Sequence, residues 1–214
     1  EPPAGTSDHD GWRYGVGKRR AEQALFAMRA THGLRAIVLR LPIVQGAGDG
    51  SLRLWAWIER LRDGGPILVP DGGLRPVRHV WVADVARAIG WLAAHGDPKR
   101  AVYNVAQPDV LPFHDWIRRL AAIVRASPAY VDASWDTMLA TGLDERCAPY
   151  AGRWASAPDP SRIREEWGLE TTPLADYLPR VVREHLDDPP ARSHDGYAQR
   201  PIELELARRL GGRG

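Results

Sequence analysis

Lysine is nearly missing from this chain of 214 residues: of its 29 basic side chains, only Lys18 and Lys99 are not arginine. Cysteine is scarcer still. Cys147 stands alone, which excludes an intrachain disulfide and a CxxC zinc site, fits a reducing cytoplasm, and reads most simply as a small buried hydrophobe. No apolar run reaches the length a membrane-spanning helix needs. The opening "EPPAGTSDHDGWR" has neither a basic leader nor an apolar stretch after it, so no secretory signal is expected. Its first residue is Glu1 rather than methionine, for which processing or an upstream segment would account. Net charge is only +2, so no strong field calls for nucleic acid, and arginines scattered among acids read as a solvated surface.

Other absences narrow the chemistry. The seven histidines are dispersed without an HExxH pair, which removes the commonest zinc-hydrolase pattern. Ser193, His194 and Asp195 are contiguous, whereas a hydrolytic triad needs convergence in space, so this stretch reads as tail loop. The glycines of "QGAGDG" at 45–50 are not followed by Gly-Lys-Ser/Thr and make no phosphate cradle.

What is present patterns as alternating helices and strands. A loop is expected over 1–13, then a helix from about Arg13 to Thr31 that Gly33 ends, with Tyr14, Lys18, Ala21, Leu25 and Met28 along one face. "LRAIVLRLP" (34–42) and "AVYNVAQP" (101–108) read as buried parallel strands, and "PILVP" (66–70), "PVRHVWV" (76–82) and "AYVDAS" (129–134) as shorter ones. Helices are expected over 51–65 with Ser51 as cap, 85–95 with Asp84 as cap, 111–127, 159–169, 174–186 and 201–210. Residues 135–160 are mixed in pattern. This order indicates an α/β fold with parallel strands, although two long strands are too few for a parallel sheet covered on both faces.

One stretch carries chemistry: "YGVGKRRAEQAL" at 14–25. The i,i+4 spacing sets Tyr14 and Lys18 on one helical face within reach of each other. A free phenol titrates near 10, and a neighbouring ammonium favours its ionised form. Such a tyrosine can exchange a proton with a substrate hydroxyl or carbonyl while a nicotinamide takes or gives hydride. Arginine, bulky, planar and fixed in charge, would replace this lysine poorly. By itself Tyr-x-x-x-Lys is a weak pattern, equally produced by a stripe tyrosine and a surface lysine.

The order of motifs sharpens the reading. "YGVGKRRAEQAL", "LRLPIVQGAGD", "RHVWVADVARAI", "VYNVAQPDVLPFHDWIRRLAAI" and "PDPSRIREEWGLETTPLADYLPRVV" follow one another between about residues 12 and 186. Together they resemble the extended short-chain dehydrogenase/reductases, the NAD-dependent epimerase/dehydratase family. The resemblance implies a Rossmann-type parallel sheet, here partial, with a small mixed α/β substrate-binding domain. It implies NAD or NADP as cofactor and a nucleotide-sugar or similar carbonyl/hydroxyl substrate. It casts Tyr14 as acid/base and Lys18 as its partner on the cofactor ribose, sets Pro42, Ile43 and Val44 against the nicotinamide, and gives Gln45 and Arg78 to the substrate. Asn104 would be structural.

Two departures accompany it. Family members open on a strand and a Gly-x-x-Gly-x-x-Gly loop that seats the pyrophosphate, and no such loop occurs here. Their catalytic Ser or Thr stands about two dozen residues before the tyrosine, a distance that Thr6 and Ser7 do not reach. The chain is therefore expected to be the C-terminal portion of such an enzyme, inactive alone. On this reading residues 1–44 and 83–106 are what remains of the dinucleotide-binding domain, 45–82 and 107–190 form the substrate domain, and 191–214 are a polar tail with a terminal helix. A homodimer through the Tyr14 helix and the 51–62 helix is a further expectation, with a cytoplasmic location and no membrane partner. The alternative is a relative that has lost oxidoreductase chemistry and binds nucleotides or RNA.

Overall fold

The computed structural model describes residues 7–96, 98–152 and 157–211. A long helix, α1 (Ser7–His32), is followed by two short strands, β1 (Val38–Arg40) and β2 (Ile43–Gln45), and by α2 (Arg53–Arg62). Next come β3 (Ile67–Pro70), a 3₁₀ turn at Asp71–Gly73, β4 (Pro76–Val77), β5 (His79–Trp81) and α3 (Val82–His95). Then follow β6 (Val102–Asn104), β7 (Leu111–Pro112), α4 (Phe113–Val124), β8 (Tyr130–Ala133) and α5 (Trp135–Ala140). After a 3₁₀ turn at Glu145–Cys147 the chain forms α6 (Ser161–Trp167), α7 (Leu174–Asp187), a 3₁₀ turn at Asp195–Gln199 and α8 (Arg200–Gly211).

Most expected elements are in place, with instructive differences. Residues 7–13, read as loop, are the first two turns of α1, while residues 1–6, including Thr6, lie outside the described residues. The run "LRAIVLRLP" yields only the three-residue β1, because Leu41-Pro42 breaks pairing and a second strand, β2, starts directly after. Asp84 is not the cap of α3 but sits inside it. Its buried carboxylate accepts hydrogen bonds from the Thr172 backbone N–H (2.7 Å), the Thr172 hydroxyl (2.9 Å) and the Arg87 guanidinium, tying α3 to the loop before α7. The cap of α2 is Leu52, in left-handed conformation, rather than Ser51. Of the mixed stretch 135–160, residues 153–156 lie outside the described residues.

Three strand pairs are parallel, β1 with β6, β2 with β5 and β3 with β8, and one, β4 with β7, is antiparallel. Backbone bonds from Val105 N to Arg40 O and from Gln107 N to His79 O carry the β6 segment past β1 and alongside β5. The β1–β6 and β5–β2 pairs are thus stitched into one fragmentary parallel sheet.

Two apolar clusters form. The larger gathers α2, β3, α4, α7 and part of α8 around Trp57, Phe113, Trp116, Leu174 and Tyr177. The smaller holds Val80, Ala88, Tyr103, Val105, Ile163 and Trp167, with Val44 against it. Helix α2 is buried over most of its surface, Leu54, Trp55, Trp57, Ile58 and Leu61 included, each worth about 1.5–3 kcal/mol when taken fully from water. It belongs to the core of this chain and offers no free face for a second copy. Helix α1 is the opposite: Tyr14, Leu25 and Met28 are all exposed. Its polar ties to the body include Glu22 on Arg40 and the Arg29 guanidinium on the Ala36 carbonyl.

The C-terminal segment is fastened by buried charge as well as by the apolar packing of Leu206 and Ala207. The Arg60 guanidinium, fully buried on α2, meets Glu203 of α8 at 2.6 Å and donates to the Gly196 carbonyl at 3.0 Å. Arg200 bridges Glu203 (3.1 Å) and Asp63 (2.7 Å). Gly196 packs so closely that a Cβ there would stand 1.8 Å from the Arg146 carbonyl oxygen. Removing one partner of a buried pair strands the other charge. Glu203→Ala is therefore expected to lower unfolding free energy by about 3–5 kcal/mol in denaturant titration. A loss below about 1 kcal/mol would show that the tail contributes little.

Candidate functional site

Strand β2 pairs with β5 in the register Ile43↔His79, Val44↔Val80, Gln45↔Trp81. Because side chains alternate along a strand, Val44 and Val80 join the smaller cluster, whereas Ile43 and His79 turn towards a cavity of about 530 Å³. Pro42, Ile43, Arg53, Arg78, His79, Tyr150 and His194 are among its lining residues. Four separate stretches thus converge: the start of β2, the head of α2, the β4–β5 junction and the chain around 145–152, with the C-terminal segment as a fifth wall.

The floor of the cavity is a buried polar junction. Gln45 is 2% exposed and its amide nitrogen donates to His79 Nδ1 at 3.1 Å and to the Tyr150 hydroxyl at 3.0 Å. The His79 ring stands edge-on to Tyr150 (4.5 Å between centroids) and to Trp116 (5.8 Å). Burial pushes the His79 imidazole down to about 3, and the Arg53 charge adds to the effect. Loss of solvent raises the Tyr150 phenol. Elsewhere in the core the Tyr177 hydroxyl donates to the Gln107 side chain at 2.5 Å.

The cationic side chains differ in what they are free to do. The Arg53 side chain has no hydrogen bond or ion pair with any described residue. Arg78 is committed: it donates to the carbonyls of Pro108 (2.8 Å), Pro158 (3.0 Å) and Asp109 (3.4 Å). Arg146 is paired with Asp144 at 2.6 Å, which holds that carboxyl down at about 2. His194 accepts a hydrogen bond at Nδ1 from the Gly196 backbone N–H (3.0 Å), and burial, then the Arg60 and Arg53 charges, lowers its pKa. Glu145 adds one carboxylate to the lining against these arginines.

Tyr14 and Lys18 lie one turn apart on α1, the ammonium 5.4 Å from the phenol ring centroid. Tyr14 is 69% exposed, and neither its hydroxyl nor the Lys18 ammonium is bonded to a described residue. The described lining of the cavity includes Pro42, Ile43 and Arg78 but not Tyr14 or Lys18. Gln45 lies behind His79 and Tyr150, in the floor. Arg53, Tyr150 and His194 were not singled out from sequence. An arginine at a helix head and a histidine in a tail carry no spacing that marks them, and His194, read as tail loop, is a wall of the cavity. Cys147 is buried, as expected, with its thiol pushed up to about 12. Among the described residues no cluster could hold a metal ion, and no helix is long and apolar enough to cross a membrane.

These features define an α/β protein built on short parallel strands, with a mixed cap that walls a polar cavity. Residues 2–106 match the model of the NAD dependent epimerase/dehydratase family. No curated protein sequence matches the chain. Among solved structures it is similar to a dTDP-glucose 4,6-dehydratase, DesIV, from Streptomyces venezuelae with NAD bound, at TM-score 0.63 and 20% identity over 82% of this chain and 51% of that one. It is similar to UDP-glucose 4-epimerase from Thermotoga maritima with UDP-glucose, at 0.63 and 20% over 81% and 53%. RMD from Pseudomonas aeruginosa complexed with NADPH gives 0.61 and 19% over 80% and 55%. The likeness is one of fold, and the chain spans about half the length of these structures.

His79 also gives the cavity a pH signature. An unfolded histidine takes up a proton near 6.5, whereas folded His79 does so only near 3. Between these values the unfolded state binds more protons, so stability rises with pH across the interval and flattens above it. His194 acts in the same direction. Denaturant titrations from pH 3.5 to 7.5 are expected to show this slope, reduced in His79→Phe; an equal slope in that variant would place the acid sensitivity elsewhere.

Proposed function

We propose that this chain carries the proton-transfer pair and the substrate-binding share of an NAD(P)-dependent epimerase, dehydratase or reductase acting on a sugar nucleotide. The observation that carries the reading is the Tyr14–Lys18 pair, one helical turn apart, the ammonium over the phenol ring and neither the hydroxyl nor the ammonium hydrogen-bonded to a described residue, inside the stretch that matches the family model. The cavity supports the substrate side: its unpaired Arg53 suits a phosphate group, and about 530 Å³ falls in the ordinary range for a small-molecule site.

The residues present fit one end of a nicotinamide dinucleotide. Lys18 offers an unbonded ammonium to a ribose diol, and Pro42 and Ile43 offer a half-buried apolar wall. No glycine-rich loop in the sequence serves the pyrophosphate. When bound, the nicotinamide supplies or accepts hydride. In this reading Tyr14 gives its phenolic proton to the substrate oxygen in reduction and takes it back in oxidation. The Lys18 ammonium stabilises the phenolate that remains. Arg53 holds the phosphate of the substrate and leaves the sugar to the floor of the cavity.

The test is turnover of UDP-glucose or dTDP-glucose with NAD(P), measured on this chain joined to a dinucleotide-binding segment that carries the glycine-rich loop, since the chain by itself is expected to be inactive. Tyr14→Phe is expected to cost about 10²–10⁴-fold in kcat with an unchanged Tm, since only an exposed hydroxyl is lost. Arg53→Gln is expected to raise KM about tenfold or more with little change in kcat. Activity retained in Tyr14→Phe would remove the proton-transfer role. RNA binding with a steep salt dependence, in the absence of turnover, would favour a relative that has left oxidoreductase chemistry.

A further inference from the structure

Two histidines from distant parts of the sequence line the same cavity, and both are held the same way round. His79 stands on β5, and His194 precedes the last 3₁₀ turn. His79 Nδ1 receives a hydrogen bond from the Gln45 amide at 3.1 Å; His194 Nδ1 receives one from the Gly196 backbone N–H at 3.0 Å. A ring nitrogen that accepts a hydrogen bond does not carry the proton, so each uncharged imidazole carries it on Nε2. Neither Nε2 is bonded to any described residue. Arg53 lies near enough for its charge to act on both rings, and a second cation beside that guanidinium would be opposed both by repulsion and by loss of solvent.

We propose that His79 and His194 are specificity-determining residues that donate Nε2–H hydrogen bonds to uncharged hydroxyl or carbonyl oxygens of a ligand whose phosphate is held by Arg53. The inference rests on the reading of the cavity as the substrate site and adds to it. Arg53 supplies charge and tolerates many phosphates. The two imidazoles supply donors without charge, and a ligand lacking an oxygen at either point leaves a buried donor unmade, which is the costlier kind of mismatch. Gln45 is the positioning residue for His79, since its amide also reaches the Tyr150 hydroxyl and is therefore fixed at two points. His194 depends on the ion network of Arg60, Glu203 and Arg200, which fastens its segment.

The test has two arms on the full chain. Long-range proton–nitrogen correlation at pH 7 reads the tautomers directly. Both rings are expected as Nε2–H; Nδ1–H at His79, which the Gln45 amide turned over would produce, overturns the assignment there, and at His194 likewise. Calorimetry then compares UDP-glucose with inorganic pyrophosphate, which has phosphate but no uncharged hydroxyl or carbonyl. His79→Phe and His194→Phe are expected to weaken UDP-glucose by about tenfold or more and to leave pyrophosphate within about twofold, whereas Arg53→Gln weakens both. Gln45→Leu, which keeps His79, is expected to show mixed tautomers and a loss confined to UDP-glucose, and serves where His79→Phe does not fold. Unchanged UDP-glucose binding in the histidine variants overturns the inference and leaves the cavity reading standing. Failure of the wild-type chain to bind either probe overturns both.

Discussion

The pairing of β2 with β5 is the contact on which the rest of the molecule turns. Three residues of each strand lie side by side in parallel, and the pleat divides them between two environments. Val44 and Val80 close the small cluster with Tyr103 and Trp167. On the other side, Ile43 and His79 border the cavity, and Trp81 lies flat against Tyr177 of α7 at 6.3 Å. A slip of one residue would exchange these faces and put His79 or Trp81 where Val80 now packs. The register is fixed from both sides, by apolar packing behind and by the Gln45–His79–Tyr150 junction in front.

From that pair the architecture of the site follows. Strand β2 delivers the chain to the head of α2, where Arg53 is held at the rim because the residues after it are sunk in the core. Arg78, adjacent to β5, spends its guanidinium on three backbone carbonyls and so pins the 108–109 and 158 loops. The final wall comes from the C-terminal segment, where buried ions join the apolar packing of Leu206 and Ala207. Such a network is weak evidence for stability and a better device for fixing geometry, and here it sets His194 and Arg146 at the cavity.

Much of this was legible in the sequence, and the part that was not has physical reasons. Helices α3, α4, α6, α7 and α8 and strands β3 and β8 were read close to their observed limits, because apolar periodicity and terminal glycines or prolines mark them. Strand β2 was missed because three residues flanked by proline and glycines carry no period. Asp84 was read as a cap because acids favour helix starts, yet it serves a long-range bond to Thr172 that no local pattern encodes. The apolar stripe of α1 was found, but its side chains are exposed within this chain; periodicity identifies a face and not what covers it. Of the residues that the family resemblance implied for the site, Pro42, Ile43 and Arg78 are among those that line the cavity, whereas Tyr14 and Lys18 are not. Arg53, Tyr150 and His194 meet only through the fold, at separations in sequence that no spacing rule spans.

The central claim is that the cavity beside β2 and β5 is where this chain meets its ligand. Titrating the isotopically labelled chain with UDP-glucose and following its backbone amides tests that most directly. The account predicts shifts concentrated at 43–45, 53–54, 77–80, 145–150 and 194–196. Shifts confined to other surfaces, such as the cleft around Gly72, His114 and Asp132, or no shifts at saturating ligand, would contradict it.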